Sequence, residues 1–195
     1  KIPIYKLKTT DEVMKYYDEW GIKNKYDQDM IDWNYTGPKE TVATFIKYAQ
    51  DKNIKILDAG CGTGLVGIEL KKHNYLNIDG MDLSKKLLDL VPQGYYQNLD
   101  QVDLNKSIKV KNDTYDAIMC VGTFTYGHVK PNALDEFIRI SKNKSLICFT
   151  INEGIYEEYG FDKKIDELKK NKSWNVKEFF KSDYISSKDV NAWLC

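Results

Sequence analysis

The sequence predicts an α/β protein with a doubly wound, mostly parallel sheet. From Asn53 onward, short apolar runs alternate strictly with helical stretches. That alternation needs helices on both faces of parallel strands. The first apolar run, "ILDAGCGTGLVG", ends in a carboxylate and opens into glycines, as a strand does when it turns into a helix at a ligand site. Near the C-terminus the alternation breaks, so an antiparallel strand is expected to finish the sheet.

Before Asn53 the chain reads as helical. "TTDEVMKYYDEWG" has Thr10 or Asp11 as its cap, apolar residues at helical spacing and Gly21 as its stop. Pro38 opens "PKETVATFIKYAQDK", with Val42, Phe45, Ile46 and Ala49 on one face. The predicted strands are "IKILDA", "LNIDGMDL", "GYYQNL", "YDAIMCVG" and "SLICFT". The helices between them are "GLVGIELKKHN", "SKKLLDLVPQ" and "PNALDEFIRISKNK". A charged helix is expected over 155–171, with "DKKIDELKKNK" as its solvated face. "SWNVKEFFKSDYI" and "DVNAWLC" follow as two strands joined by "SSK". The expected organisation is one domain over 1–195: a helical lid (1–52), a core (53–150) and a C-terminal helix with strands (151–195).

Composition narrows the function classes. The 195 residues are 42% hydrophobic and 30% charged, as in a soluble globular protein. Lys plus Arg and Asp plus Glu stand at 29 each, so the net charge is zero and no nucleic-acid partner is expected. The four cysteines (61, 120, 148 and 195) form no C-x-x-C, and there are two histidines, so no metal is expected. No apolar run approaches membrane-spanning length and no secretory pattern opens the chain. The expectation is a cytoplasmic protein with no membrane partner.

The glycine stretch has two spellings. Gly60, Gly62 and Gly64 alternate as in sites for S-adenosylmethionine (AdoMet), whereas Gly62, Gly64 and Gly67 spell the dinucleotide pattern G-x-G-x-x-G. Asp58 discriminates. A carboxylate just before the first glycine repels a pyrophosphate but stabilises the α-ammonium of AdoMet, directly or through water. Gly67 is then a small residue of the first helix, packed close to the sheet. Asp82, followed by Leu83, ends the second strand where a ribose diol would be held. Beyond the third strand Asp103 is placed to accept from the adenine amino group and the Leu104 N–H to donate to the ring. Asp100 is a competing assignment. Val121 and Gly122 end the fourth strand beside the methionyl part, and Cys61 lies within the glycine turn.

These pieces match the class I AdoMet-dependent methyltransferases, which have a Rossmann-like fold. The chain more closely resembles the methyltransferase-like family named after the Williams–Beuren syndrome critical region, over most of its length. The segments that carry the resemblance are "YDEWGIKNKYDQDMIDWNYTGP", with its doubled Tyr-Asp, "ILDAGCGTGLVG", "DGMDLS" and "VGTFTYGHVKPNALDEFIRI". Where the family has a proline-glycine turn before the fifth strand, this chain has "SKNKS". The resemblance implies AdoMet as cofactor, S-adenosylhomocysteine (AdoHcy) as product, and methyl transfer.

Methyl transfer is an in-line displacement with a neutral thioether leaving, so alignment and exclusion of water are the main requirements. An alcohol or ammonium acceptor also needs a base. His128 is the candidate, its ordinary pKa lying near neutrality; the alternative is that it bonds a backbone carbonyl and fixes its loop. His73 reads as a surface residue at a helix end. In the aromatic leader, Tyr16 and Trp20 read as core and Tyr26 as a cofactor contact. Tyr17, Trp33 and Tyr35 from one side, and Phe124 and Tyr126 from the other, are expected to wall the acceptor pocket. Such a pocket suits a small, partly apolar molecule. The rival readings are a non-catalytic AdoMet-binding module and an AdoMet-family enzyme of other chemistry.

Overall fold

The computed structural model describes residues 7, 9–21 and 25–195; the rest of the expected lid (1–6, 8 and 22–24) lies outside them. The chain runs α1 (Thr10–Trp20), α2 (Lys25–Asp32), α3 (Gly37–Phe45), β1 (Ile56–Ala59), α4 (Leu65–Lys72), β2 (Ile78–Asp82) and α5 (Lys85–Leu88). It continues through β3 (Asn98–Gln101), β4 (Tyr115–Phe124), α6 (Ala133–Ile140), β5 (Ser141–Asn152), α7 (Phe161–Lys170), β6 (Phe180–Ile185) and β7 (Val190–Leu194). The strands form one sheet in the order β3-β2-β1-β4-β5-β7-β6. The first five are parallel, and β7 pairs antiparallel with both β5 and β6. The expected Rossmann-like sheet with an antiparallel ending is therefore the observed one.

Period-two alternation builds the two faces of the core. Along β4, Ala117, Met119 and Val121 pack with α3 and α4, while Ile118 and Cys120 pack with α6 and α7. Chain order reverses between β1 and β4, so a crevice opens beyond their carboxyl ends. The lid helices cross that end. Trp20 Nε1 donates to Asp29 Oδ2 at 2.6 Å and ties α1 to α2.

Several boundaries differ from expectation for identifiable reasons. Thr9, not Thr10 or Asp11, caps α1, because Thr9 and Glu12 close a reciprocal capping box. "GYYQNL" is strand only from Asn98; Tyr95 and Tyr96 precede it. The helix expected to run through "SKNK" stops at Ile140, and Ser141 begins β5, with a register shift and Lys144 at φ +65°. The helix expected from Ile155 starts at Phe161, since Gly160 at φ +79° breaks the chain just before it. No described helix is long and apolar enough to cross a membrane.

Candidate cofactor cleft and adjoining aromatic chamber

The glycine turn sits where β1 delivers it. Gly60 adopts φ +77°, and a Cβ there would stand 2.9 Å from Cβ of Thr123 on β4. Both the left-handed backbone and the close approach require glycine. The Gly62 N–H donates to Asp82 Oδ2 at 2.8 Å, and the Ser84 N–H to Asp82 Oδ1 at 2.8 Å. Burial raises the Asp82 carboxyl, and these backbone N–H groups oppose the rise.

A cleft of about 670 Å³, part of it open to solvent, lies in front of the turn. Gly60, Gly62, Asp82 and Leu83 form one wall; Asp103, Leu104, Val121, Gly122 and His128 form another; Tyr17 and Tyr26 of the lid cover it. The structure thus brings Asp103 to the cleft and leaves Asp100 on the exposed strand β3. Asp58, Cys61 and Gly64 stand behind the turn rather than in the lining. Asp58 is fully buried; its Oδ2 accepts from the Tyr96 hydroxyl at 2.6 Å, and its Oδ1 has no hydrogen-bond partner. Burial pushes the Asp58 carboxyl up to about 7, with the Tyr96 bond opposing and the Asp82 charge adding to the rise. An orphaned buried carboxylate oxygen behind a glycine cradle fits a cationic ligand group in front of it. Asp82 retains lone pairs for a diol. The donor set therefore fits AdoMet.

Tyr96 was not anticipated. Its hydroxyl donates to Asp58 and accepts from the Gly67 N–H at 3.1 Å, joining the end of β1 to the first turn of α4. Gly67 is small for this reason, because a Cβ there would collide with the Tyr96 ring.

A second space of about 440 Å³ adjoins the cleft through the shared walls Tyr17, Tyr26 and Gly122. Trp20, Met30, Trp33, Tyr35, Thr125, Tyr184 and Ile185 complete it. Six of its walls are aromatic, and no charged side chain among the described residues lines it. Tyr35 stands edge-on to Tyr184, with ring centroids 5.0 Å apart. A Cβ on Gly122 would lie 2.7 Å from the Tyr35 hydroxyl.

Two residues expected to wall the acceptor pocket face elsewhere. Phe124 is buried against Phe137, Phe149 and Phe161. The register explains this: Cys120 pairs with Phe149 and Phe124 with Ile151, so β4 carries a bulge of two extra residues. An even insertion keeps the alternation in phase, returning Phe124 to the core side and pushing Val121, Gly122 and Thr123 toward the cleft. Tyr126 packs edge-on to Tyr159 and presses on Gly154. His128 lines the cleft edge-on to Tyr17 at 5.1 Å, and its Nε2 is buried with no hydrogen-bond partner. Burial, with the nearby Lys130 charge, lowers its pKa to about 3. Further walls that the sequence did not single out are Val13, Met14, Ser84, Leu87, Thr123 and Tyr184. Ser84 had a legible signal, since it caps α5 by accepting from the Leu87 N–H. Tyr184 had none, because it arrives from the far end of the chain.

The fold and this cleft define a methyltransferase domain of the AdoMet-dependent type. The chain belongs to the methyltransferase domain family whose model matches residues 30–194. It is 32% identical over 141 residues to human methyltransferase-like protein 27, covering 70% of this chain and 56% of that one. It is 31% identical over 109 residues to EEF1A lysine methyltransferase 2 of Danio rerio, covering 50% of this chain and 46% of that one. The chain thus spans about half the length of the curated relatives it matches. Among solved structures, a SAM-dependent methyltransferase from Aquifex aeolicus shares the fold, with TM-score 0.57 and 15% identity over 80% of this chain and 87% of that one.

Proposed function

We propose that this chain binds AdoMet in the glycine-turn cleft and transfers its methyl group to a small-molecule acceptor held in the aromatic chamber. The observation that supports this reading above the others is the shared wall. Tyr17, Tyr26 and Gly122 belong to both spaces, so a ligand in one meets a ligand in the other at that point. Residues 1–195 act in this reading as one domain, with the lid, core and C-terminal strands all contributing walls.

AdoMet, when bound, supplies an electrophilic methyl on a sulfonium. The chain's own residues align and shield. Asp82 would hold the ribose, Asp103 and the Leu104 N–H the adenine, and Asp58 would favour the ammonium from behind the turn. The Tyr17, Tyr26 and Tyr35 hydroxyls stay protonated, because burial raises each of their pKa values. They can orient an acceptor but not ionise to drive it. His128 is neutral and its Nε2 is unpartnered; in the tautomer protonated at Nδ1 that nitrogen accepts a hydrogen bond from an acceptor O–H or N–H. Its depressed pKa makes it a weak proton sink.

We expect His128→Gln to leave AdoHcy affinity within about threefold of wild type and to slow turnover about tenfold. The wild-type rate should show no His128 inflection between pH 5 and 8, since the group is neutral above about 3. A steep inflection that the variant lacks would restore a strong-base role.

A second reading is favoured by the rings. An uncharged aromatic box suits an alkylammonium group, and a relative is named a lysine methyltransferase, so a protein lysine is the rival acceptor. Labelled AdoMet offered with a metabolite extract and, separately, with a proteome tests both readings. Label in small molecules alone supports the first reading, label in protein alone the second, and label in neither removes methyl transfer. Calorimetry with AdoHcy and NAD is the companion test. Asp82→Ala should weaken AdoHcy at least tenfold, and binding of NAD without AdoHcy would overturn the cofactor assignment.

A further inference from the structure

The doubled Tyr-Asp of the lid carries more than its aromatic halves. In each pair the tyrosine lines the cleft and the aspartate bonds a hydroxyl on one of the two turns that frame it. Tyr17 covers the cleft, and Asp18 Oδ1 accepts from Ser84 Oγ at 2.5 Å, two residues beyond Asp82. Tyr26 covers it from α2, and Asp27 Oδ1 accepts from Thr63 Oγ1 at 2.5 Å, within the glycine turn itself. Thr63 and Ser84 are both buried, so their hydroxyls are withdrawn from solvent, and each donates to the lid aspartate. These are short O–H···O⁻ bonds, a class roughly twice as strong as neutral ones.

We propose that Asp18 and Asp27 are positioning residues, two latches that fasten the lid to the cofactor-binding turns and so hold Tyr17 and Tyr26 as the wall between the cleft and the aromatic chamber. This rests on the assignment of the cleft to AdoMet. Adjacent residues on a helix diverge by about 100°, so one face of the lid reads the turn while the next reads the ligand. The chamber depends on the latches too. Tyr17, Trp20, Tyr26 and Met30 come from the two latched helices and Trp33 directly follows the second, so releasing the lid removes half of the walls of the acceptor space. Each latch ends on a turn that also carries a cofactor-facing group, Gly62 for Thr63 and Asp82 for Ser84. Closing the acceptor chamber is therefore coupled to the geometry of the cofactor turns.

The Asp27–Thr63 latch gives the cleaner test, because Ser84 also caps α5. A double-mutant cycle of Asp27→Ala and Thr63→Val, with Asp27→Asn as the conservative variant, is read in two ways. In the ligand-free protein, hydrogen exchange of peptides spanning residues 25–33 should rise about tenfold in either single variant, with the melting midpoint of the rest of the chain held. AdoHcy affinity should fall about fivefold in each. The double variant should be no worse than either single one, and Asp27→Asn, which keeps an acceptor oxygen, should recover most of the loss. Wild-type exchange rates in both single variants, or a double variant equal to the product of its singles, would overturn the latch. Failure of the wild-type protein to bind AdoHcy would instead overturn the cofactor assignment, and the ligand-free exchange would still decide the latch.

Discussion

Gly60→Ala is expected to abolish measurable AdoHcy binding, with a loss above a hundredfold, and to lower the melting temperature by about 6–12 °C. Two costs act together. Gly60 has φ +77°, where a Cβ costs roughly 1–2 kcal/mol. The added methyl would also drive into Thr123, whose Cβ would be 2.9 Å away, and such overpacking costs typically 1–3 kcal/mol. A sum of about 3 kcal/mol corresponds to the stated shift for a chain of this size. Binding suffers more than stability, because the turn relieves the clash by moving its own backbone, and that backbone carries the Gly62 N–H bonded to Asp82. Calorimetry and a thermal melt check both halves. A variant that melts normally and binds AdoHcy normally would show that the turn has slack and that neither the left-handed backbone nor the approach to Thr123 matters. Thr123→Ala in the same background should recover part of the stability, since it removes Oγ1 and Cγ2, the two atoms nearest the added methyl, but leaves the Thr123 Cβ and the positive φ.

The sequence displayed the frame of this site and concealed its closure. The frame is local: Gly60 to Gly64, Asp82 and Asp103 each follow directly from a strand, so their positions can be counted off the apolar runs. What sequence reading missed depends on long-range geometry. Tyr96 looked like part of a strand because aromatic pairs favour strands. Its hydroxyl is instead spent on Asp58 and the Gly67 N–H, two partners set by packing. Phe124 and Tyr126 looked like acceptor walls because they follow the fourth strand. The fourth strand instead runs on to Phe124, and the two-residue bulge at Val121–Thr123 leaves the alternation in phase, so Phe124 shares the core face of Ile118 and Cys120. The aspartates of the doubled Tyr-Asp were passed over for their tyrosines, although polar residues at fixed offset from a ligand-facing ring are candidates for holding it. Their partners, Thr63 and Ser84, become visible only once the lid is folded across the sheet.

The affinity of AdoHcy should rise about tenfold between pH 6 and pH 8, and Asp58→Asn should flatten that rise. Asp58 is an acid whose folded pKa is raised by burial to about 7, above its ordinary value near 4. The groups facing it are the Tyr96 hydroxyl, the Asp82 carboxylate and the Cys61 thiol, and burial raises the pKa of all three. None supplies a positive charge. In the ligand-free protein the protonated form is therefore favoured. The stability this contributes is fully present below about pH 4 and is lost as pH rises through 7, of order 4 kcal/mol in all. A ligand ammonium reverses the preference by stabilising the carboxylate. Binding at pH 6 must then expel close to one proton per site, while at pH 8 the carboxylate is already formed. Calorimetry in two buffers of different ionisation heat reads that proton directly. The same linkage predicts that the melting temperature of ligand-free Asp58→Asn gains on wild type as pH goes from 5 to 8, because asparagine has no charge to leave buried. Equal pH slopes for wild type and variant, in binding or in melting, would remove Asp58 from the ammonium and leave it a structural acceptor for Tyr96.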